Sequence, residues 1–106
     1  VQTAVLININ DFKLINDYYS HKHGNHLLYQ VASILVKYSK QYSFEVFRLS
    51  ADEFVLLYNK ENVKSIQSDV EHILKVIENT KFNIIAISDI NIQIRLSYTS
   101  SNNRLL

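Results

Sequence analysis

Glycine is almost absent from this sequence, and proline is wholly absent. The 106 residues include one glycine, Gly24, where a domain of this size holds about seven. Nearly every tight turn must therefore be made by asparagine, aspartate or serine. The eleven asparagines suit this need, because Asn adopts left-handed backbone at a lower cost than other non-glycine residues. Each turn that lacks glycine is a position to explain.

Length and composition predict one domain with an ordinary core. Apolar residues make up 47% and charged residues 20% of the chain, which excludes a disordered tail. The absence of cysteine excludes disulfides and thiolate metal sites, and it fits a cytoplasmic setting. The net charge of +1 argues against nucleic acid as a partner. The longest apolar run, residues 54–58, is too short to span a membrane, and no signal peptide is evident.

Apolar periodicity predicts five strands, at residues 4–9, 44–48, 54–58, 82–87 and 90–98. Three helices are predicted between them. The first covers residues 12–19, with Asn10 or Asp11 as its N-cap. The second follows a polar loop at 20–24 and is capped by Asn25. Its apolar stripe is Leu27, Leu28, Val31, Ile34, Leu35 and Tyr38. The third covers residues 63–78.

The element order is β-α-α-β-β-α-β, with an extra strand before the last. This order predicts an α+β fold of the split βαβ, ferredoxin-like type, in which helices pack on one face of an antiparallel sheet. We expect the domain to cover residues 1–99, and residues 100–106 to form a frayed tail.

Three segments combine carboxylates, amides and turn residues. They are Asn-Ile-Asn-Asp-Phe-Lys-Leu-Ile-Asn-Asp at 8–17, Ser-His-Lys-His-Gly-Asn at 20–25 and Arg-Leu-Ser-Ala-Asp-Glu-Phe at 48–54. In this order and spacing they resemble the GGDEF family of diguanylate cyclases. Its members read D-I-D-x-F-K-x-I-N-D, then G-H-x-x-G-D, then R-x-G-G-D-E-F. The resemblance covers residues 4–98 and implies the nucleotide-cyclase-like form of the split βαβ fold.

The resemblance implies a reaction between two facing domains, each with one GTP and Mg²⁺. The 3′-hydroxyl of each GTP attacks the α-phosphate of the other, which yields cyclic di-GMP and pyrophosphate. Carboxylates suit hard Mg²⁺ ions, and a helix N-terminus suits phosphate. The family roles fall on Glu53 and Asp52 as catalytic carboxylates, on Asn8, Ile9 and Asp52 as metal ligands, and on Asn16, Asn25, Asp11, Phe12 and Ala51 as nucleotide-binding residues.

Several of these positions depart from the family pattern. Asn8 replaces the first metal aspartate, so the Mg²⁺ site loses one negative charge. Asn25 replaces the guanine-reading aspartate, and an amide presents an unwanted donor to guanine. Glycines are missing at Ser20, Ser50, Ala51 and Ser97. Because Ala and Ser avoid positive φ, we expect the turn at Ser50 and Ala51 to distort or to use another type.

Other family features lie outside the sequence or are altered in it. The R-x-x-D of the inhibitory product site corresponds to Gln41 and Phe44, so we predict no such site. The family's first and final helices are not in this chain. The partners that the resemblance implies are GTP or a related nucleotide, a homodimer or second GGDEF domain, and a covalently linked sensor or EAL-type phosphodiesterase domain. The chain begins with Val1, and we expect it to be cut from a longer protein tethered to a membrane through segments outside it.

Each candidate residue also has a purely structural interpretation. Asp52 and Glu53 are ordinary turn carboxylates without their context, Asn8 is a polar strand end, and Asn25 is a helix cap. His21, His23 and His26 invite a zinc site, but solvated loop histidines are the favoured interpretation because a fourth ligand is lacking.

The sequence favours a degenerate GGDEF domain, which acts as a nucleotide-binding or regulatory module with weak or no cyclase activity. The alternatives are an active cyclase with altered metal or base preference and a pure dimerisation module. RNA recognition on a similar sheet is the weakest alternative, because the charge is small and the aromatic–glycine pattern is missing.

Overall fold

The computed structural model describes residues 2–60, 62–85 and 91–102. Within these ranges the chain forms three helices and six strands. The helices are α1 (Phe12–Tyr19), α2 (His21–Tyr42) and α3 (Val63–Glu78). The strands are β1 (Thr3–Ile9), β2 (Phe44–Ser50), β3 (Glu53–Tyr58), β4 (Phe82–Asn83), β5 (Asn91–Ile92) and β6 (Leu96–Asn102).

The main sheet has the strand order β2-β3-β1-β6, and every pair in it is antiparallel. β4 and β5 form a separate two-stranded sheet. This arrangement confirms the predicted α+β class and its element order, with the final strands divided differently.

The core lies between one face of the main sheet and the helices α2 and α3. Alternate residues of β1, namely Val5, Ile7 and Ile9, are fully buried in it. The helices contribute apolar stripes at helical spacing, which are Leu27, Leu28, Val31 and Leu35 from α2, and Ile66, Val70, Ile73, Leu74 and Ile77 from α3. The predicted helix at 63–78 is confirmed in both bounds.

The start of α2 is a correction. The sequence predicts a polar loop at 20–24 with Asn25 as the helix cap, but the helix begins at His21, and Asn25 lies inside it. Ser20 is the N-cap, because its hydroxyl oxygen accepts a hydrogen bond from the His23 backbone N–H at 3.4 Å. A capping serine at this point therefore starts the helix one turn early.

The predicted N-cap of α1 is also a correction. Asp11 occupies the capping position, but its φ of 59° is left-handed, and its side chain makes no capping hydrogen bond. A capping side chain normally depends on extended backbone at its own residue, which Asp11 does not have. Asp tolerates the left-handed region better than most residues, which explains its place in this glycine-poor turn.

The last strands depart from the prediction too. Of the predicted strand at 82–87, only Phe82–Asn83 is a strand, and residues 86–87 lie outside the described residues. The predicted strand at 90–98 is divided between Asn91–Ile92 and Leu96–Asn102. Residues 100–102, which were expected in a tail, pair with β1, because the open edge of a central strand requires backbone partners. Residues 103–106 lie outside the described residues.

Of the three helices in the described residues, α2 is the longest, with 22 residues. None of them combines the length and the apolar character that a membrane-crossing helix requires.

Ser20 provides a test of glycine replacement, because its φ of 130° and ψ of 162° lie in a region used almost only by glycine. Such a residue costs of order 1–3 kcal/mol. We expect Ser20→Gly to have a higher free energy of unfolding than Ser20→Ala by roughly 1–3 kcal/mol, because glycine relieves the backbone strain that alanine keeps, while both variants lose the serine hydroxyl group. Urea denaturation of the two variants measures the difference. Equal stability would show that Ser20 is not strained.

Tyr58 links stability to alkaline pH. This side chain is fully buried, and its hydroxyl donates a hydrogen bond to the Asp69 carboxylate at 3.3 Å. Burial and, next, the Asp69 charge raise the pKa of Tyr58. An unfolded tyrosine has a pKa of about 10, so the free energy of unfolding should hold below about pH 10 and fall as pH rises above it.

We expect Tyr58→Phe to lose part of this alkaline fall, because it removes the ionisable group. Urea denaturation at several pH values between neutral and strongly alkaline tests this. Tyr18→Phe, at a side chain that is 82% exposed, is the matched control and should follow the wild-type curve. A Tyr58→Phe curve parallel to that of wild type would contradict the expectation.

Candidate functional site

The β2–β3 hairpin presents the acidic pair. Ser50 pairs with Glu53, so the turn between them consists of Ala51 and Asp52. The pairing register shifts between Arg48 and Ser50, and positive φ does not occur in this turn. The hairpin thus turns without glycine by means of a local register irregularity at the end of β2, as the sequence led us to expect.

Arg48 braces this turn from within its own strand. Its Nε donates a hydrogen bond to the Ser50 carbonyl at 3.1 Å, and its Nη2 donates to the Ala51 carbonyl at 3.3 Å. Two turn carbonyls are therefore bound to one guanidinium group. Sequence reasoning did not assign Arg48 a role, although the family pattern carries an arginine at this position.

The end of β1 lies against the turn. Asn8 is paired with Glu53 in the sheet register, and the Ile9 backbone N–H donates to the Asp52 carbonyl at 2.9 Å. The Asn8 side-chain Nδ2 donates to Asp52 Oδ2 at 3.4 Å. The structure therefore brings together five predicted site residues from two distant segments, namely Asn8, Ile9, Ala51, Asp52 and Glu53.

Ser50 adds a contact that the sequence did not predict. Its hydroxyl donates to Glu53 Oε1 at 2.8 Å. The Ser50 Oγ atom also lies 3.4 Å from Asp52 Oδ1. A serine hydroxyl has one proton to donate, so the shorter contact to Glu53 is the principal one. Both members of the acidic pair are thus hydrogen-bonded to side chains that differ from the family pattern.

The side chains at this point suit a hard divalent cation, although their total negative charge is lower than in the family. Asn8 and Asp52 lie close enough to share an ion, and amide and carboxylate oxygens are suitable ligands for Mg²⁺. The Asn8 amide, however, directs its N–H rather than its oxygen at Asp52. Among the described residues, no group of three or more His, Asp or Glu side chains is placed to hold a metal ion.

The three histidines of the second motif lie on α2 and not in a loop. His23 Nδ1 is 2.9 Å from the Tyr19 carbonyl oxygen and 3.2 Å from Ser20 Oγ, so this ring is bound to the helix start. Within the described parts of the chain, His21, His23 and His26 do not form a cluster that could hold a metal ion. Their place on the first turns of α2 corrects the predicted loop.

Asn16 and Gly24 form a close contact between α1 and α2. The Asn16 Oδ1 atom is buried and has no hydrogen-bond partner among the residues that the structure describes. A Cβ placed on Gly24 would overlap this atom and would come within 3.3 Å of the Phe12 ring. The single glycine therefore makes room for the predicted nucleotide-binding asparagine, a role that is invisible in the sequence.

Asn25 lies beside a cavity of about 300 Å³ between α2 and the hairpin. Its lining residues are Asn25, Leu28, Tyr29, Ala32, Arg48 and Phe54. This volume is at the lower end of those that hold small ligands, and an apolar wall with a few polar groups is typical of them. Tyr29, which is 77% exposed, is the aromatic side chain of this lining.

The two remaining predicted residues open α1. Phe12 is buried, and Asp11 is exposed in its left-handed conformation. The Asp11 carbonyl accepts the Ile15 N–H at 3.2 Å. Asp11 and Phe12 follow β1 directly, which places the start of α1 at the same edge of the sheet as Asn8 and Ile9.

Comparison with known proteins identifies the family. The model of the family described as diguanylate cyclase, GGDEF domain, matches residues 2–104. The chain belongs to the GGDEF family. This confirms the resemblance to the diguanylate cyclase family drawn from the three motifs.

Two curated relatives of this GGDEF domain are much longer proteins. An uncharacterized membrane protein of Staphylococcus saprophyticus is 45% identical over 56 residues, which cover 52% of this chain and 15% of the relative. An uncharacterized membrane protein of Staphylococcus aureus is 31% identical over 80 residues, which cover 76% of this chain and 22% of the relative. The matched segments therefore span less than a quarter of either relative.

Solved structures show the same fold. The GGDEF domain of DgcB from Caulobacter crescentus, in complex with c-di-GMP, has a TM-score of 0.84 at 18% identity. The alignment covers 93% of this chain and 56% of that one. An EAL/GGDEF domain protein from M. capsulatus has a TM-score of 0.75 at 20% identity, with 93% and 61% covered.

The Asn16–Gly24 contact can be tested by a double-mutant cycle. Alanine at an exposed helical glycine normally stabilises by up to about 1 kcal/mol. We expect Gly24→Ala to destabilise this GGDEF domain instead, because the new methyl group displaces Asn16. In an Asn16→Ala background the same change should become neutral or stabilising. Urea denaturation of the four proteins gives the coupling energy, and additive effects would contradict the contact.

Proposed function

We propose that this chain is a degenerate GGDEF domain that binds GTP or a related nucleotide as a regulatory module and has weak or no diguanylate cyclase activity. One observation carries the proposal. The acidic pair, Asp52 and Glu53, is kept on the hairpin whose Arg48 and Phe54 line a ligand-sized cavity, but amides occupy the positions of two family carboxylates, at Asn8 and Asn25.

Asp52 and Glu53 would carry the metal-binding and catalytic roles. In the family, Asp52 corresponds to a metal ligand and Glu53 to the catalytic carboxylate. Both are half-buried at the turn, where they can face a phosphate group above the end of β1. Asp11 and Phe12 would supply backbone N–H groups to the phosphates at the start of α1.

A cation at this site would be held by Asn8, the Ile9 carbonyl and Asp52. Diguanylate cyclases of this family generally use Mg²⁺. When bound, Mg²⁺ would neutralise phosphate charge and polarise the phosphoryl group. The replacement of a carboxylate by Asn8 lowers the charge of the ligand set, so we infer that cation binding is weakened.

Base recognition is also weakened. Asn25 lines the cavity, and Asn16 stands on the neighbouring helix with a buried oxygen that no described residue hydrogen-bonds. A carboxylate at position 25 would accept from both guanine donors, whereas the Asn25 amide accepts through one oxygen only. The Ala51 methyl group, at the exposed turn, occupies space that glycine leaves open in the family.

The relatives and neighbours support an inference about the wider protein. The curated relatives are named membrane proteins, and the solved neighbours include a protein that combines EAL and GGDEF domains. We infer that this domain is a cytoplasmic part of a longer membrane-tethered protein with a sensor or an EAL-type domain. Its partner would be a second GGDEF domain, either the same domain in a homodimer or a different GGDEF domain.

A second candidate function is an active cyclase with altered base preference. The Asn25 carboxamide at the cavity wall favours it, because Asn pairs well with the donor–acceptor edge of adenine. A pure dimerisation module is the third candidate. It would bind neither nucleotide.

The full-length protein, incubated with GTP and Mg²⁺ or Mn²⁺, should form little or no cyclic di-GMP as measured by chromatography. Calorimetric titration should detect weak nucleotide binding. Asn25→Asp should raise the preference for GTP over ATP by about 5- to 150-fold, which corresponds to about 1–3 kcal/mol of recovered guanine recognition.

The outcomes separate the candidates. Robust cyclic di-GMP formation by the wild type would contradict the proposal of a module with weak or no cyclase activity. Preferential ATP binding would support the altered cyclase. Binding of neither nucleotide, together with self-association, would leave the dimerisation module. Leu14→Gln, at an exposed side chain of α1, is a control that should bind nucleotide as the wild type does.

A further inference from the structure

Ser50 stands where the family has the first signature glycine, and it puts a hydroxyl group into the acidic turn. Its Oγ donates to Glu53 Oε1 at 2.8 Å, an ordinary distance for a hydrogen bond from a hydroxyl group. A glycine has no side chain and cannot make this bond. The contact is thus a property of this chain and not of the family pattern.

The geometry of the hairpin favours the contact. Ser50 and Glu53 are directly paired across the two strands, so their side chains project on the same side of the ladder. Arg48 binds the carbonyls of Ser50 and Ala51, which limits the freedom of the turn that carries the hydroxyl group. The donor and the carboxylate are therefore held close by backbone pairing as well as by their own bond.

Asn8 acts on the other carboxylate in the same way. Its Nδ2 donates to Asp52 Oδ2, while Ser50 Oγ also lies 3.4 Å from Asp52 Oδ1. Each carboxylate thus has a neutral donor from the chain itself. A cation that binds here competes with these donors for the carboxylate oxygens.

We propose that Ser50 is a positioning residue whose hydroxyl group holds Glu53, lies 3.4 Å from the metal-ligand carboxylate of Asp52, and thereby competes with a divalent cation for the oxygens of the acidic pair. The proposal rests on the proposed function, because it assumes that the cation site is that of the family. It adds a second cause of weak cation binding, independent of the charge lost at Asn8.

Cation affinity can be measured without nucleotide. Electron paramagnetic resonance reports free Mn²⁺, and its signal falls as the ion binds. We expect Ser50→Ala and Ser50→Gly to bind Mn²⁺ about two- to tenfold more tightly than the wild type, the range that corresponds to the net value of one hydrogen bond. Ser50→Thr keeps the hydroxyl group in a strand position that suits a β-branched residue, and it should bind as the wild type does.

The same comparison in an Asn8→Asp background raises the affinity into an easily measured range. There, Asn8→Asp/Ser50→Ala should bind Mn²⁺ about two- to tenfold more tightly than Asn8→Asp alone. Equal affinity of the two, or Mn²⁺ binding by neither, would overturn the proposal. A Ser50→Thr variant that behaves like Ser50→Ala would do so as well, since the hydroxyl group would then be irrelevant.

A merely structural role gives a different result. If Ser50 only supports the turn, Ser50→Ala lowers the melting temperature and leaves Mn²⁺ affinity unchanged, which contradicts the proposal. Failure of the proposed function is separable, because a domain that binds no nucleotide still gives a definite Mn²⁺ comparison between the Ser50 variants.

Discussion

The pairing of β1 on both of its edges positions the core and the candidate site together. Its register with β3 buries Val5, Ile7 and Ile9 and sets Asn8 opposite Glu53. A slip of one residue would exchange the two faces of the strand, exposing the core side chains and removing Asn8 from the acidic turn. The hydrophobic pattern of the strand therefore fixes the geometry of the polar residues at its end.

The scarcity of glycine has structural consequences at three positions. Ser20 takes a backbone conformation suited to glycine and still caps α2. The turn at Ala51 avoids positive φ through a register irregularity in β2. Gly24 is kept where a side chain would displace Asn16. The chain thus tolerates the loss of glycine where backbone can adjust and retains it where two helices touch.

Local signals predicted the elements whose patterns are long and periodic. The apolar stripe of α3 gave both of its bounds, because one face of a helix must meet the core along its whole length. The predicted start of α2 was wrong. Ser20 and Asn25 are both residue types that cap helices, and only packing against α1 decides which of them does so. The end of β6 was missed, because Ser100 and Ser101 have little strand propensity and are ordered by pairing with β1.

The sequence by itself determined the family, the fold class and the inventory of polar residues, because motif order and apolar periodicity are local properties of the chain. Only the tertiary structure decided how those residues meet. Asn8 and Asp52 are 44 positions apart, and their hydrogen bond depends on strand register and side-chain rotamers. The Ser50–Glu53 bond depends on where the hairpin turns. Such contacts arise from packing over the whole sheet, so no short segment of sequence encodes them.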